Sequence, residues 1–97
     1  MTHIYVLPEK SWFPLGDLYV TAAADRTIST ADIATALARH ARCDWGDVCD
    51  EDRQENYLSL ARGYRLFSAY HDGNGVKFWI ITEADRSVTT VLLPDDY

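Results

Sequence analysis

Residues 64–94 read YRLFSAYHDGNGVKFWIITEADRSVTTVLLP. Three runs, YRLFSAYH, VKFWIITE and SVTTVLLP, are rich in β-branched and aromatic side chains, which suit a pleated surface. DGNG separates the first two and supplies residues that take positive φ in a tight hairpin; ADR separates the last two. The spacing predicts a three-stranded antiparallel meander. Alternation assigns its faces: Tyr64, Leu66, Ser68 and Tyr70 share one side of the first strand, Phe67 and His71 the other, and Phe78 and Ile80 oppose Trp79 and Ile81. Both faces of the middle strand are apolar. Helices are therefore expected on one face, and the N-terminal segment or a partner over part of the other.

Upstream the apolar period changes from two to helical. Ile33, Ala34, Leu37, Ala38 and Ala41 fall on one face of a predicted helix, with Ser29 or Thr30 as N-cap and Arg39, His40 and Arg42 near its negative end. A second helix is predicted from Asp50 as its cap, with Glu51 and Asp52 in the first turn and Tyr57, Leu58 and Ala61 as its apolar face. Gly63 ends it, because glycine enters the left-handed conformation without steric cost. Two shorter extended pieces, His3 to Leu7 and Leu18 to Ala22, flank the Pro- and Gly-containing SWFPLGD. The expected fold is α+β: two helices packed on a C-terminal three-stranded antiparallel meander, extended by N-terminal strands.

Ninety-seven residues make about one small domain, and no apolar run approaches the roughly 20 residues that span a bilayer. The N-terminal MTHIYVLPEK lacks the pattern of a secretory signal, so a cytoplasmic location is expected. Cys43 and Cys49 are too few for a disulfide framework and are expected as thiols. The net charge of −6 disfavours direct nucleic-acid binding, which relies on Lys and Arg to displace condensed counterions.

That charge is concentrated in DWGDVCDEDRQEN, residues 44–56, where six carboxylates meet one arginine. Asp50, Glu51 and Asp52 are explained by the positive end of the second helix, each contributing about 0.3–1 kcal/mol. Asp44, Asp47 and Glu55 are not explained in that way. Together with Glu51, and with Trp45 as an aromatic anchor, they form the candidate partner-binding surface, suited to a protein with a basic face. The competing reading turns Trp45 inward between the helices and leaves the acids as a solvated edge.

The blocks DWGDVCDEDRQEN and WIITEADRSVTTVLLPDDY resemble a family of small uncharacterised bacterial proteins often carried on plasmids and other mobile elements. The likeness covers Pro14 to Gly16 and Arg39 to Tyr97 and omits Asp17 to Asp32. It implies a genomic setting rather than a chemistry. Small acidic proteins in that setting are often inhibitors of host defence, including anti-restriction and anti-CRISPR proteins, which implies a nucleic-acid-handling protein as the partner.

Other chemistries find less support. His40, Cys43 and Cys49 give H-x2-C-x5-C, with His71 as a conceivable fourth ligand, but this is not the spacing of a zinc knuckle. The acidic run lacks the mid-loop glycine and terminal bidentate glutamate of a calcium loop, so neither a metal nor a cofactor is expected. The alternative function is a small ribonuclease toxin of the barnase or RelE kind, or a degenerate relative. It would draw on His71, Arg86, Thr89 and Tyr97, with Tyr70 and Thr90 nearby, for acid/base work and phosphate binding. Arg65, Lys77 and Arg86 are few cations for holding an RNA backbone, and Arg86 is expected instead to pair with a neighbouring carboxylate.

Overall fold

In the computed structural model, Tyr5 and residues 7–97 are described. The chain is α+β, and the meander forms as the sequence predicts: β2 (Leu66–His71), β3 (Lys77–Thr82) and β4 (Val88–Leu92). Phe67 lies opposite Ile81, and Trp79 opposite both Ala69 and Leu92. The sheet is larger than the meander. A strand from the N-terminal half, β1 (Asp17–Val20), pairs in parallel with β4 and gives a mixed sheet of order β1-β4-β3-β2. The extended piece expected at Leu18 to Ala22 thus starts one residue earlier and stops at Val20. Thr21 then caps a helix, its hydroxyl accepting from the Ala24 N–H. The strand expected at His3 to Leu7 lies largely outside the described residues.

Among the described residues three α-helices form rather than two. The addition, α1 (Ala22–Thr27), is a six-residue connection from β1 to α2 (Thr30–Ala41). Ser29 caps α2 by accepting from the Asp32 N–H at 3.1 Å. Ile33, Ala36, Leu37, His40 and Ala41 form its buried stripe, whereas Ala34 is exposed and Ala38 half-buried. Both sets have helical spacing. His40 joins the stripe because each of its ring nitrogens meets a hydroxyl. With α1, this helix covers one sheet face, packing Ala24, Ile28, Ile33 and Leu37 on Tyr70, Phe78, Ile80 and Val91. Each large apolar side chain buried there contributes about 1.5–3 kcal/mol. On the opposite face Phe67 and Trp79 meet edge to face at 5.1 Å, and Tyr97, following a single 3₁₀ turn at Pro94–Asp96, packs against Trp79 at 5.9 Å.

The third helix, α3 (Asp50–Arg62), departs furthest from expectation. Its N-cap is Cys49, without a side-chain cap bond, and Asp50 is its first residue, with its carboxylate paired to Arg53. Tyr57, Leu58 and Ala61, the expected apolar face, are exposed, while Asn56 and Ser59 are buried. The reason lies in what α3 covers. β2 is an edge strand, and its outward backbone groups must find partners wherever water is excluded. The Asn56 amide supplies them at Phe67, donating to its carbonyl at 2.7 Å and accepting from its N–H at 3.0 Å.

One residue pair further along β2, the loop between α2 and α3 completes the same edge. The Ala69 N–H donates to the Trp45 carbonyl at 3.1 Å, and the Asp47 N–H donates to the Ala69 carbonyl at 2.7 Å, a one-residue parallel bridge centred on Gly46. Gly46 has φ 74°, and a Cβ there would stand 2.1 Å from the Ala69 carbonyl oxygen. Gly63 ends α3 with φ 76°, but a Cβ there meets nothing. Both substitutions to alanine incur the left-handed penalty of about 1–2 kcal/mol. Gly46→Ala must also push back the edge of β2, so its loss of stability in urea melts should exceed that of Gly63→Ala. Equal losses would show that the bridge is not closely packed.

Candidate functional site

The loop DWGD places its four residues in different environments. Trp45 is 3% exposed and packs among Phe13, His40 and Tyr57, with ring centroids 5.7–6.3 Å away. The inward alternative therefore holds in this structure, and Trp45 offers no surface to a partner. Asp44 receives a forked pair of bonds from Arg39, Nε to Oδ2 at 2.8 Å and Nη2 to Oδ1 at 3.2 Å, and also accepts from the Gly46 N–H. The Arg39 bond holds the Asp44 carboxyl below, and the guanidinium above, their usual ranges. Asp47 accepts from, or ion-pairs with, His71 Nδ1 at 2.7 Å. Asp44 and Asp47, two of the three acids that the sequence leaves unexplained, thus steady the loop against α2 and β2.

The acids of α3 behave differently. Asp50 is taken up by Arg53, but Glu51, Asp52 and Glu55 have no ion-pair partner among the described residues. Glu51, Glu55 and Leu58 follow one another at helical spacing, i, i+4 and i+7, along a shallow depression of about 540 Å³ that also touches Asp50, Asp52 and Gln54. Leu58 is 39% exposed and Tyr57 50%. The free negative surface is therefore the outer side of α3, not the DWGD loop. Of the expected binding residues, Glu51 and Glu55 belong to it.

The groups of the ribonuclease alternative are not brought together. Thr89 is fully buried. His71 ends β2 opposite Lys77, whereas Arg86 lies at the Leu66–Thr82 end of the same strand pair, about 17 Å away at roughly 3.4 Å per residue. Arg86 takes φ 62° and has carbonyls, not the expected carboxylate, as its partners. It donates to those of Tyr64, Glu83, Ala84 and Ser59, which closes the C-terminal end of α3 onto the β3–β4 turn. Tyr97 binds Arg65 through its hydroxyl at 2.6 Å and its ring at 5.4 Å.

One arrangement has the residue types of a nucleophile and base. His40 Nδ1 is 2.6 Å from Ser68 Oγ, and both residues are fully buried, so no substrate reaches them. The pair belongs to a longer chain whose direction follows from its end. Thr89 donates to the Leu15 carbonyl at 2.7 Å, so it accepts from the Thr82 hydroxyl at 2.8 Å. Thr82 then accepts from the His40 Nε2–H at 2.9 Å, and Nδ1 accepts from Ser68. Five residues from α2, three strands and the N-terminal segment are joined with each polar atom partnered. His40 is thereby committed on both nitrogens, apart from Cys43 and Cys49. Among the described residues no group of three His, Cys, Asp or Glu side chains is placed to hold a metal ion, and no helix is long and apolar enough to cross a membrane.

The sequence contained signals for the buried chain: Ser68 lies on the core-facing side of β2, and His40 follows Leu37 at i+3. For α3 the signal was Asn56, a side chain able to donate and accept at once. Comparison of the chain with protein families, curated proteins and solved structures finds no match.

Burial, followed by the nearby charge of Arg86, pushes the His40 pKa down to about 3. In the unfolded chain histidine titrates near pH 6.5, so between about 6.5 and 3 the unfolded state binds the extra proton. The contribution of neutral His40 is complete above that window and is lost as pH falls through it, by at most about 1.4 kcal/mol per pH unit. His40→Gln, which retains one donor and one acceptor, should be less stable than the wild type at pH 8. Urea melts should show its stability declining less steeply from pH 6.5 to 4.5; parallel declines would place the acid sensitivity elsewhere.

Proposed function

We propose that this protein acts by binding another protein through the outer side of α3, and that the partner is a basic, nucleic-acid-handling protein. The observation that supports this reading is the imbalance of α3. Thirteen residues are held in a helix that fully buries only Asn56 and Ser59, while three carboxylates with no ion-pair partner among the described residues and two half-exposed apolar side chains face outward. A helix polar on nearly all sides gains little from its own core and is suited to meeting a second surface. Fixed negative charge on a rigid helix speeds encounter with a basic face, and Leu58 and Tyr57 supply contact area that becomes dry on association.

Such a surface competes with nucleic acid for the same cationic residues on the partner. Association by this route should be salt-sensitive, since exposed charges are screened beyond about 8 Å at physiological ionic strength. In the mobile-element setting implied by the resemblance of the DWGD and WIITEADR blocks, the partner is a host defence protein, as for an anti-restriction or anti-CRISPR inhibitor. The reading entails no cofactor and no direct contact with nucleic acid.

Glu51→Gln/Leu58→Ser changes the outer side of α3 without touching Asn56, Ser59 or the loop, so it should fold, with a melting midpoint lowered only by the few degrees that loss of one first-turn charge entails. Immobilised wild-type protein should retain from host lysate proteins that added duplex DNA or RNA releases, and the double variant should retain markedly less of them. Retention that is identical for both, or insensitive to nucleic acid, would contradict the proposal.

A further inference from the structure

Between α3 and the chain entering β2 lies a groove of about 460 Å³, lined by Asp52, Glu55 and Asn56 from the helix and by Tyr64, Arg65 and Phe67 opposite. Asp52 and Glu55, at i and i+3, share one side of α3 and belong both to this groove and to the outer depression. They form the ridge between the two.

Three cations near that ridge have bonds of their own. Arg53 is bonded to Asp50, Arg65 is held by the hydroxyl and ring of Tyr97, and Arg86 is spent on four backbone carbonyls. Asp52 and Glu55 therefore line a concave site in which neither forms an ion pair among the described residues; Arg65 shares the groove but is bonded to Tyr97, and the half-exposed ring of Tyr64 and the partly buried ring of Phe67 lie beside them. The Asn56 amide is buried and engaged by the Phe67 backbone through both its nitrogen and its oxygen.

A carboxylate pair next to aromatic rings discriminates between cations. Guanidinium is planar and weakly hydrated, forks onto a carboxylate and stacks on a ring, whereas an ammonium is a compact, strongly hydrated point charge. We propose that this groove receives an arginine side chain of the protein partner, with Asp52 and Glu55 as its carboxylates and Tyr64 as its stacking surface. This inference rests on the proposed function and names the group that α3 recognises.

The test uses acetyl-Gly-Arg-Gly-amide and its lysine counterpart, titrated separately into the whole protein and followed by nuclear magnetic resonance. The arginine peptide should shift the signals of Asp52, Glu55, Tyr64 and Phe67 and bind about tenfold more tightly than the lysine peptide, a difference of about 1.4 kcal/mol. Asp52→Asn/Glu55→Gln should abolish that preference while the protein stays folded, its melting midpoint lowered only by the few degrees that loss of one first-turn charge entails. Equal affinity for the two peptides, or shifts centred elsewhere, would reduce the site to diffuse charge attraction and overturn the inference. So would binding seen only in Arg65→Gln, which would make Arg65 the natural occupant. Failure here, with capture still dependent on Glu51 and Leu58, removes the groove alone. Loss of that dependence removes the proposed function.

Discussion

The outward edge of β2 is the constraint on which the arrangement of the acidic half depends. A strand at the end of a sheet carries backbone donors and acceptors that need partners or water, and an open edge invites another chain to pair with it. Here Phe67 is satisfied by the amide of Asn56, and Ala69 by the backbone of Trp45 and Asp47. Both partners come from the segment between α2 and the middle of α3. That segment must therefore lie along β2, which turns Trp45 inward against His40 and Phe13 and leaves α3 beside the sheet rather than across it.

The position of α3 divides DWGDVCDEDRQEN into two halves with different work. Asp44 and Asp47, in the loop, are bound by Arg39 and His71 and help to hold it where its backbone can pair. These are exposed bridges of small individual worth, so most of the anchorage lies with the backbone bonds and buried Trp45. Glu51, Asp52 and Glu55, on the helix, are left to solvent. Because α3 docks through Asn56, Ser59, the partly buried Leu60 and one side of the Tyr57 ring, its outer surface is available for recognition without exposing the core. The buried chain from Ser68 through His40 to Leu15 lies directly behind this edge, with Ser68 in β2 itself and His40 against Trp45, and ties the sheet to α2.

Much of the fold was legible because it is encoded locally. The meander, its turns, the start of α2 and the end of α3 follow from alternation, glycine and capping residues close in sequence. Three features were not legible, each for a reason of distance or chemistry. The pairing of β1 with β4 joins residues about seventy positions apart, and no local pattern distinguishes a parallel neighbour from a separate extended piece. The buried faces of α2 and α3 contain polar residues, so apolar periodicity points to Tyr57, Leu58 and Ala61 rather than to His40, Asn56 and Ser59. Finally, Asp44 and Asp47 read as free charge because the turn after α2 brings Arg39 back onto Asp44 and the fold alone brings His71 to Asp47, whereas Glu51 and Glu55 are exposed and form no ion pair among the described residues.

Amide hydrogen exchange at Phe67 and Ala69 tests most directly whether the edge of β2 is closed. With Asn56 and Trp45 accepting their N–H groups, both amides should exchange about as slowly as those of the central strand β3, because release requires the α2–α3 loop or α3 to detach. Exchange at the rate of an unpaired strand edge, with the β3 amides still protected, would show that the segment does not clamp the sheet and would contradict the account.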